Sequence, residues 1–161
     1  LYRSGLIGYI VVNVLLYITV GIEEELMFRS VVTECVLRKN SNIIVFASVY
    51  SGLLFGLAHI TNFIFDADMT MFNKWCTMIM ACVFGFTLAV IFLRTKSIGA
   101  VITLHFLWDF ADFMNHMMIV ERYRYGGSYN ALALQIPVLI VMFVIAVFCM
   151  YNKRQMRLQS V

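Results

Sequence analysis

Five long apolar segments, separated by short connections, most constrain what this chain can fold into. A helix that crosses a bilayer needs about 20 mostly apolar residues. The segments that meet this requirement are 5–22, 43–65, 75–93, 98–120 and 131–151, and the first continues without a helix breaker to about residue 37. We therefore predict an all-α fold, a polytopic transmembrane helix bundle with about five spans, forming a single domain over residues 1–161.

The composition excludes several classes of protein. Hydrophobic residues make up 62% of the sequence and charged residues 13%, against about 45–50% and 25% in soluble domains. The basic residues are dispersed, so no nucleic acid is expected as a partner. The lipid bilayer is the expected surrounding. Four cysteines without a CxxC pair indicate small apolar residues and no disulfide framework.

The start of the chain and its charges bear on topology. The first residue is Leu1 and no basic segment precedes an apolar one, so we expect no signal peptide and further helices upstream. Basic residues in short loops favour the cytoplasmic side. One side collects seven and the other four, which predicts a multi-pass protein with a cytoplasmic C-terminus; the seven are Arg38, Lys39, Arg94, Lys96, Lys153, Arg154 and Arg157.

Small residues recur every four positions on two of the spans. Small side chains at this spacing let helix backbones approach closely in lipid. The second and third spans are therefore expected inside the bundle; the residues are Ser48, Gly52 and Gly56, then Ala81, Gly85 and Ala89.

Acidic residues close the first apolar run. Glu25 and Arg29 are four apart and can pair on one helix face. Glu24 points about 100° away with no local cation, which suits a general base. The alternative is a helix end at the interface, where the acids are simply solvated. Glu23 is an additional acid without an assigned role.

Histidines inside two later spans are the other candidates, because a charge at the bilayer centre costs about 2.5–3.5 kcal/mol. His59 lies on the face of Gly52 and Gly56, where a bond to a neighbouring carbonyl is the alternative to catalysis. His105 and Asp109 are four apart, and Asp112 and His116 extend their stripe. A proton path or a structural network is the alternative here.

Three motifs occur in order on three spans: Glu24-Glu25-x-x-x-Arg29, Phe55-x-x-x-His59 and His105-x-x-x-Asp109. This pattern resembles the CPBP intramembrane proteases, which comprise the type II CAAX prenyl endopeptidases and bacterial bacteriocin-processing and self-immunity homologues. Their motifs read EExxxR, FxxxH and HxxxN or HxxxD. The resemblance covers about residues 20–115, and Asp109 stands where many members have Asn.

The resemblance implies an intramembrane endopeptidase acting on peptide or protein substrates, prenylated or not. When the roles of the family's motif residues are transferred to the matching positions of this sequence, Glu24 is the general base and His59 orients the water. His105 and Asp109 together stabilise the oxyanion. Glu25, Arg29 and Phe55 are supporting residues. We expect no cofactor. The alternative is Zn²⁺ held by Glu24, His59, His105 and Asp109, although the chain lacks HExxH.

Two further classes compete with a protease. A proton-coupled transporter also buries Glu and His, but usually has inverted repeats or broken helices, which this sequence lacks. A non-catalytic immunity protein that binds a partner is the other. Counting from the helix ends places His59 and His105 at depths that differ by roughly 13 Å, which argues against easy assembly of the site.

Overall fold

The computed structural model describes residues 2–33, 35–36, 44–65, 67, 70–124 and 132–151. Every regular element within these ranges is a helix, so the predicted all-α fold is confirmed there. The elements in chain order are α1 (Tyr2–Glu25), a π-helix (Leu26–Thr33), α2 (Ile44–Ala58), α3 (Thr61–Phe65), α4 (Met71–Thr95), α5 (Ile98–Arg124) and α6 (Leu132–Tyr151).

Each predicted span corresponds to a helical region, although the regions differ in polarity. Three stretches are long and apolar enough to cross a membrane by length and composition: Leu6–Thr33, Val45–Phe65 and Met71–Thr95. Ile136–Met150 is a shorter apolar helix. Helix α5 has 27 residues, and it carries the polar stripe that begins at His105. This polar helix packs on α1 and α4, both of which are parts of stretches apolar enough to cross a membrane.

Helix α4 is the central helix of the bundle, and α2 packs on it most extensively. A Cβ atom added to Gly52 would lie 2.7 Å from the Cys82 carbonyl oxygen and from the Phe86 backbone nitrogen. A Cβ on Gly56 would collide with the Cys82 sulfur atom. The predicted close approach of the second and third spans is therefore observed, and glycine is what permits it.

The other long helices pack on this central pair or on α1. Helix α1 contacts α5, and Gly21 faces the backbone of Ile102 there. Helix α6 packs on α4, where the rings of Phe86 and Phe143 have centroids 5.6 Å apart. At the end of α4, the Arg94 Nη2 donates a hydrogen bond of 2.8 Å to the Met150 carbonyl oxygen. Helices α2, α5 and α6 thus pack on α4, and α1 joins the bundle through α5 and the π-helix.

The second predicted span is interrupted at its catalytic candidate. Helix α2 ends at Ala58, and the His59 and Ile60 backbone nitrogens each donate to the carbonyl three residues earlier, both at 3.0 Å. The Thr61 hydroxyl donates to the Ala58 carbonyl oxygen at 3.2 Å, which satisfies a helix-end acceptor. Residues 43–65 are predicted as one span, and Val45–Phe65 is long and apolar enough to cross a membrane. Within that span, His59 lies in a tight turn between α2 and α3.

We predict that Gly52→Leu destabilises the bundle, because its Cβ meets backbone atoms of α4 that no side-chain rotation can move. Overpacking of this kind costs about 1–3 kcal/mol. The measurement is thermal unfolding of the purified protein in detergent. The matched control is Gly8→Leu, since a Cβ at Gly8 meets nothing within 4 Å. An unchanged unfolding temperature for Gly52→Leu would contradict the observed helix approach.

Candidate active site

A change of helix type follows the acidic cluster. Helix α1 ends at Glu25, and the next eight residues form a π-helix, a wider turn that is frequent at functional sites. The Phe28 carbonyl oxygen accepts from the Thr33 hydroxyl at 2.8 Å and from the Ser51 hydroxyl at 3.3 Å. Phe28 and Arg29 are both buried. The π-helix therefore turns these two residues of the first motif toward the interior, and α2 holds it there.

Glu25 connects the first motif to the third. Its side chain is fully buried, and Oε2 lies 2.8 Å from the Arg29 Nε. Its other oxygen, Oε1, lies 2.8 Å from Nδ1 of His105. The predicted pairing of Glu25 with Arg29 is observed, and sequence analysis missed the second partner, which is 80 positions away. No pattern within either motif could have indicated that contact.

The bond to Glu25 determines which histidine nitrogen is available. A carboxylate can only accept, so Nδ1 of His105 carries the proton and donates it to Glu25. Nε2 then faces two further carboxylates. It lies 3.6 Å from Oε2 of Glu24 and 3.5 Å from Oδ2 of Asp109. Both distances exceed those of normal direct hydrogen bonds. The Glu24 and Asp109 oxygens are therefore near Nε2 without forming a direct hydrogen bond to it.

Aromatic rings cover the opposite side of this histidine. The ring of Phe55, which is 2% exposed, has its centroid 5.7 Å from that of His105. Phe84 contributes a second ring at 5.4 Å from His105, and Phe28 packs edge-on against Phe55 at 5.1 Å. Water is thereby excluded on this side. Phe55 was predicted as a supporting residue; Phe28 and Phe84 were not identified, since a single Phe in an apolar span carries no distinguishing signal.

Arg29 is the buried cation of the site. Its guanidinium carbon lies 5.0 Å from the centre of the Phe55 ring, a cation–π arrangement. The contact with Glu25 is an ion pair without the alignment of a hydrogen bond, and the Nη1 and Nη2 atoms have no hydrogen-bond partner among the described residues. Because a buried charge is costly unless paired, Glu25 and the Phe55 ring are what stabilise Arg29 here.

His59 adjoins this group through Phe55. Its Nδ1 lies 3.0 Å from the Phe55 carbonyl oxygen, and the two rings have centroids 5.3 Å apart. Because a carbonyl only accepts, Nδ1 donates, and in a neutral ring Nε2 is left as an acceptor. Within the described part of the chain, no recorded contact joins His59 to Glu24, His105 or Asp109. His59 therefore does bond a carbonyl, but the acceptor is that of Phe55, four residues earlier. The predicted alternative to catalysis, a bond to a carbonyl across the helix interface, is not the contact observed.

The Phe55 ring bears on the predicted depth difference between the two histidines. Its centroid lies 5.7 Å from that of His105 and 5.3 Å from that of His59, so the two histidine rings are at most about 11 Å apart. The predicted depth difference of roughly 13 Å was counted from the span ends and took no account of helix packing. The depth of α2 is determined by Gly52 and Gly56 against α4.

The remaining acids and the last histidine differ in placement. Glu23 is exposed and Asp112 is partly buried, where it interacts with other groups. The side chain of His116 lies outside the described residues. Of the four side chains in the predicted polar stripe of α5, the structure therefore describes three. Two of these three, His105 and Asp109, belong to the candidate site.

A zinc site is not formed by the described side chains, since no three His, Cys, Asp or Glu groups among them are placed to hold one metal ion. Of the four candidate ligands, Glu24 and Asp109 both lie near His105, and no contact among the described residues joins His59 to these three. His105 also commits Nδ1 to Glu25. This arrangement does not fit the alternative zinc ligand set, and we derive no chemical step through a metal.

Comparison with known proteins identifies the family to which this chain belongs. The sequence profile described as type II CAAX prenyl endopeptidase Rce1-like matches residues 6–111, a region that contains all three motifs. No curated protein and no solved structure matches significantly. The matched region includes about two thirds of the chain, and the members of the matched family are membrane proteases. With its apolar helices, this chain is an integral membrane protein that belongs to the Rce1-like family of type II CAAX prenyl endopeptidases.

Proposed function

We propose that this chain is an intramembrane endopeptidase that hydrolyses a peptide bond with a water molecule activated by Glu24. One observation carries the proposal. The carboxylates of Glu24 and Asp109 flank Nε2 of His105 at 3.6 and 3.5 Å, while the buried Glu25 holds the opposite ring nitrogen. Glu24, which can act as a base, therefore lies beside two groups that can donate hydrogen bonds, His105 and a protonated Asp109. Peptide hydrolysis requires this combination of a base and hydrogen-bond donors around the reacting carbonyl.

In the proposed reaction, Glu24 removes a proton from water as the oxygen attacks the carbonyl carbon of the substrate. Its side chain is 35% exposed, against 4% for His105, so it is the more accessible of the two to an incoming water. The carbonyl oxygen becomes negatively charged, and Nε2 of a protonated His105 and the carboxyl of a protonated Asp109 donate to it. The intermediate collapses when Glu24 returns the proton to the leaving amine nitrogen.

The surrounding residues serve this step by holding His105 in place. Glu25 fixes the ring orientation and the donor at Nδ1, and Arg29 balances the charge of Glu25. Phe55 and Phe84 keep water away from the far side of the ring, which strengthens the electrostatic interactions within the site. The role that we propose for His59 is to orient the attacking water. This role is supported by the hydrogen bond from Nδ1 to the Phe55 carbonyl oxygen, because that bond leaves Nε2 able to accept a hydrogen bond from water.

The proposed substrates are peptides or proteins that reach the site at the membrane. Family membership supports a substrate with a CAAX-type C-terminal sequence, with or without a prenyl group. Bacteriocin-like peptides are a second proposed substrate class, supported only by the resemblance of the three motifs to bacteriocin-processing homologues. Cleavage of a fluorogenic CAAX peptide in detergent, with its prenylated and unprenylated forms compared, measures both the activity and the preference.

We predict that Glu24→Gln abolishes cleavage while the protein stays folded. The substitution keeps the shape of the side chain and removes the base. The control is Glu23→Gln, an exposed neighbour that should retain near-native activity. Both variants are assayed after a thermal unfolding measurement confirms that they are folded. Near-native turnover by Glu24→Gln would rule out the assigned base.

A second prediction concerns Asp109. An ionised carboxylate would repel a developing oxyanion, so the proposed role requires a protonated Asp109, and asparagine supplies an N–H donor at the same place. Asp109→Asn should therefore retain activity, while Asp109→Leu should lose about 10²–10³-fold in kcat, the usual effect of removing one oxyanion donor. Equal losses in the two variants would instead indicate an ionised ligand or base at this position.

A third prediction separates the glutamate mechanism from the zinc alternative. If Glu24 activates the water, prolonged chelation should leave cleavage intact, and elemental analysis of the active protein should find no stoichiometric Zn²⁺. The control is a known zinc protease treated in the same buffer. Activity that is lost on chelation and restored by added Zn²⁺ would overturn the mechanism.

A further inference from the structure

Lys74, near the start of α4, is a buried cation that the proposed reaction does not use. Its side chain is 6% exposed. Nζ donates a hydrogen bond of 3.3 Å to the Phe63 carbonyl oxygen and lies 6.0 Å from the centre of the Phe63 ring. No ion pair of Lys74 occurs within the described ranges. Lysine is almost never buried this deeply without a paired anion, and an ammonium donates up to three hydrogen bonds. Two donors of Lys74 therefore suit a negatively charged ligand.

Lys74 lies on the face of α4 that closes the candidate active site. Gly85, eleven residues later, shares this face within about 20°. A Cβ atom added to Gly85 would lie 2.7 Å from the Phe55 side chain, whose ring contacts that of His105. Phe84, which contacts His105 from α4, is about 80° from Lys74 around the helix. Lys74 therefore projects between the side of α4 that meets α2 and the side that meets α5, as the site itself does.

A second buried polar side chain lies toward the same end of the bundle. Asn115 is 8% exposed, and no hydrogen bond of its amide occurs among the described residues. It shares a face of α5 with Trp108, seven residues earlier, and the Trp108 ring packs on Phe84 of α4 with centroids 5.0 Å apart. Only two residues join α4 to α5, so the two helices run antiparallel. Asn115 thus faces α4 within about one helical turn of Lys74 along the bundle axis.

The separation between Lys74 and the site matches a short extended peptide. Lys74 lies ten residues before Phe84, which corresponds to about 15 Å along α4. A CAAX sequence is the last four residues of its chain, so a bond cleaved within it lies at most three residues from the C-terminal carboxylate. Three extended residues span about 10 Å, and a hydrogen bond at each end adds about 3 Å. A substrate whose carbonyl lies beside His105 can therefore reach Lys74 with its terminal carboxylate.

We propose that Lys74 and Asn115 bind the C-terminal carboxylate of the substrate and so select peptides with a free C-terminus. The inference rests on the proposed function, because it takes the cleaved carbonyl to lie beside His105. The ammonium supplies charge and the amide a further donor. The N-terminal end of α4 adds partial positive charge at the same place. Capture of a terminal carboxylate is a recurring mode of peptide recognition.

The test compares two fluorogenic CAAX peptides that differ only at the C-terminus, which is a free carboxylate in one and a carboxamide in the other. The full chain is assayed in detergent. We expect amidation to lower kcat/KM about 10- to 100-fold, mainly through KM, as the loss of a charged hydrogen bond does. Equal cleavage of the two peptides by the native chain would overturn the proposal.

Matched variants locate the preference. Lys74→Gln should bring the ratio of the two kcat/KM values close to one, and Lys74→Arg should preserve the preference for the acid. Lys96→Gln makes the same change at an exposed lysine at the other end of α4, and the ratio should keep its native value. Asn115→Leu should lower the ratio about threefold to tenfold, as expected for one further hydrogen bond. If Lys74→Gln does not fold, the native ratio and that of Asn115→Leu decide.

A binding measurement separates this inference from the proposed reaction. Fluorescently labelled forms of both peptides are titrated against Glu24→Gln and against the double variant Glu24→Gln, Lys74→Gln. A lower Kd for the acid that disappears in the double variant would support the inference even if the native chain cleaved neither peptide. Cleavage without any preference for the acid would overturn the inference and leave the proposed function standing.

Two other results would overturn the proposal. An equal loss of cleavage with both peptides in Lys74→Gln, together with a lower unfolding temperature, would indicate a structural partner such as Asp66 or Asp68, which precede Lys74 in the sequence. Inhibition by added phosphatidylglycerol that depends on Lys74 and affects both peptides equally would instead indicate a lipid phosphate at this position.

Discussion

The buried carboxylate of Glu25 is the interaction on which the rest of the site depends. It pairs with Arg29 at one oxygen and with His105 at the other, both at 2.8 Å. These three charged or polar groups come from three helical elements and are almost completely buried. Removal of one member of such a set typically costs about 3–5 kcal/mol, because a charge is left unpaired. The ion pair therefore joins the end of α1 and the π-helix to α5, and it orients His105 at the same time.

The helix packing supports this interaction from the other side. Close approach of α2 to α4 at Gly52 and Gly56 fixes the height of Phe55, and the Phe55 ring then contacts both Arg29 and His105. In lipid, such approach is driven by packing rather than by the hydrophobic effect. The small-residue stripes, one of which runs through the second motif at Gly56, thus determine where the Phe55 ring meets the polar residues.

Local spacing in the sequence predicts much of this arrangement, and non-local contacts are the part it misses. Residues four apart share a helix face, so the Glu25–Arg29 and His105–Asp109 pairs and the small-residue stripes follow from helix geometry alone. The contact between Glu25 and His105 depends on how two helices are placed, which no local pattern encodes. The π-helix after Glu25 and the turn at His59 do not follow from the apolar pattern either. The π-helix is held in part by a hydrogen bond from Ser51 on another helix, and the turn at His59 by side-chain hydrogen bonds to nearby carbonyl oxygens.

The position of the single open nitrogen of His105 has a stereochemical consequence. Glu24 approaches Nε2 from the end of α1, and Asp109 approaches it from α5, while the aromatic rings close the remaining side. A planar carbonyl bound between these two carboxyl groups with its oxygen toward Asp109 presents one prochiral face to the water at Glu24. Under the proposed mechanism, the N-to-C direction of the substrate backbone across the bundle then determines which face of the peptide carbonyl the water attacks. A peptide bound in the reversed direction would expose the opposite face of the same bond.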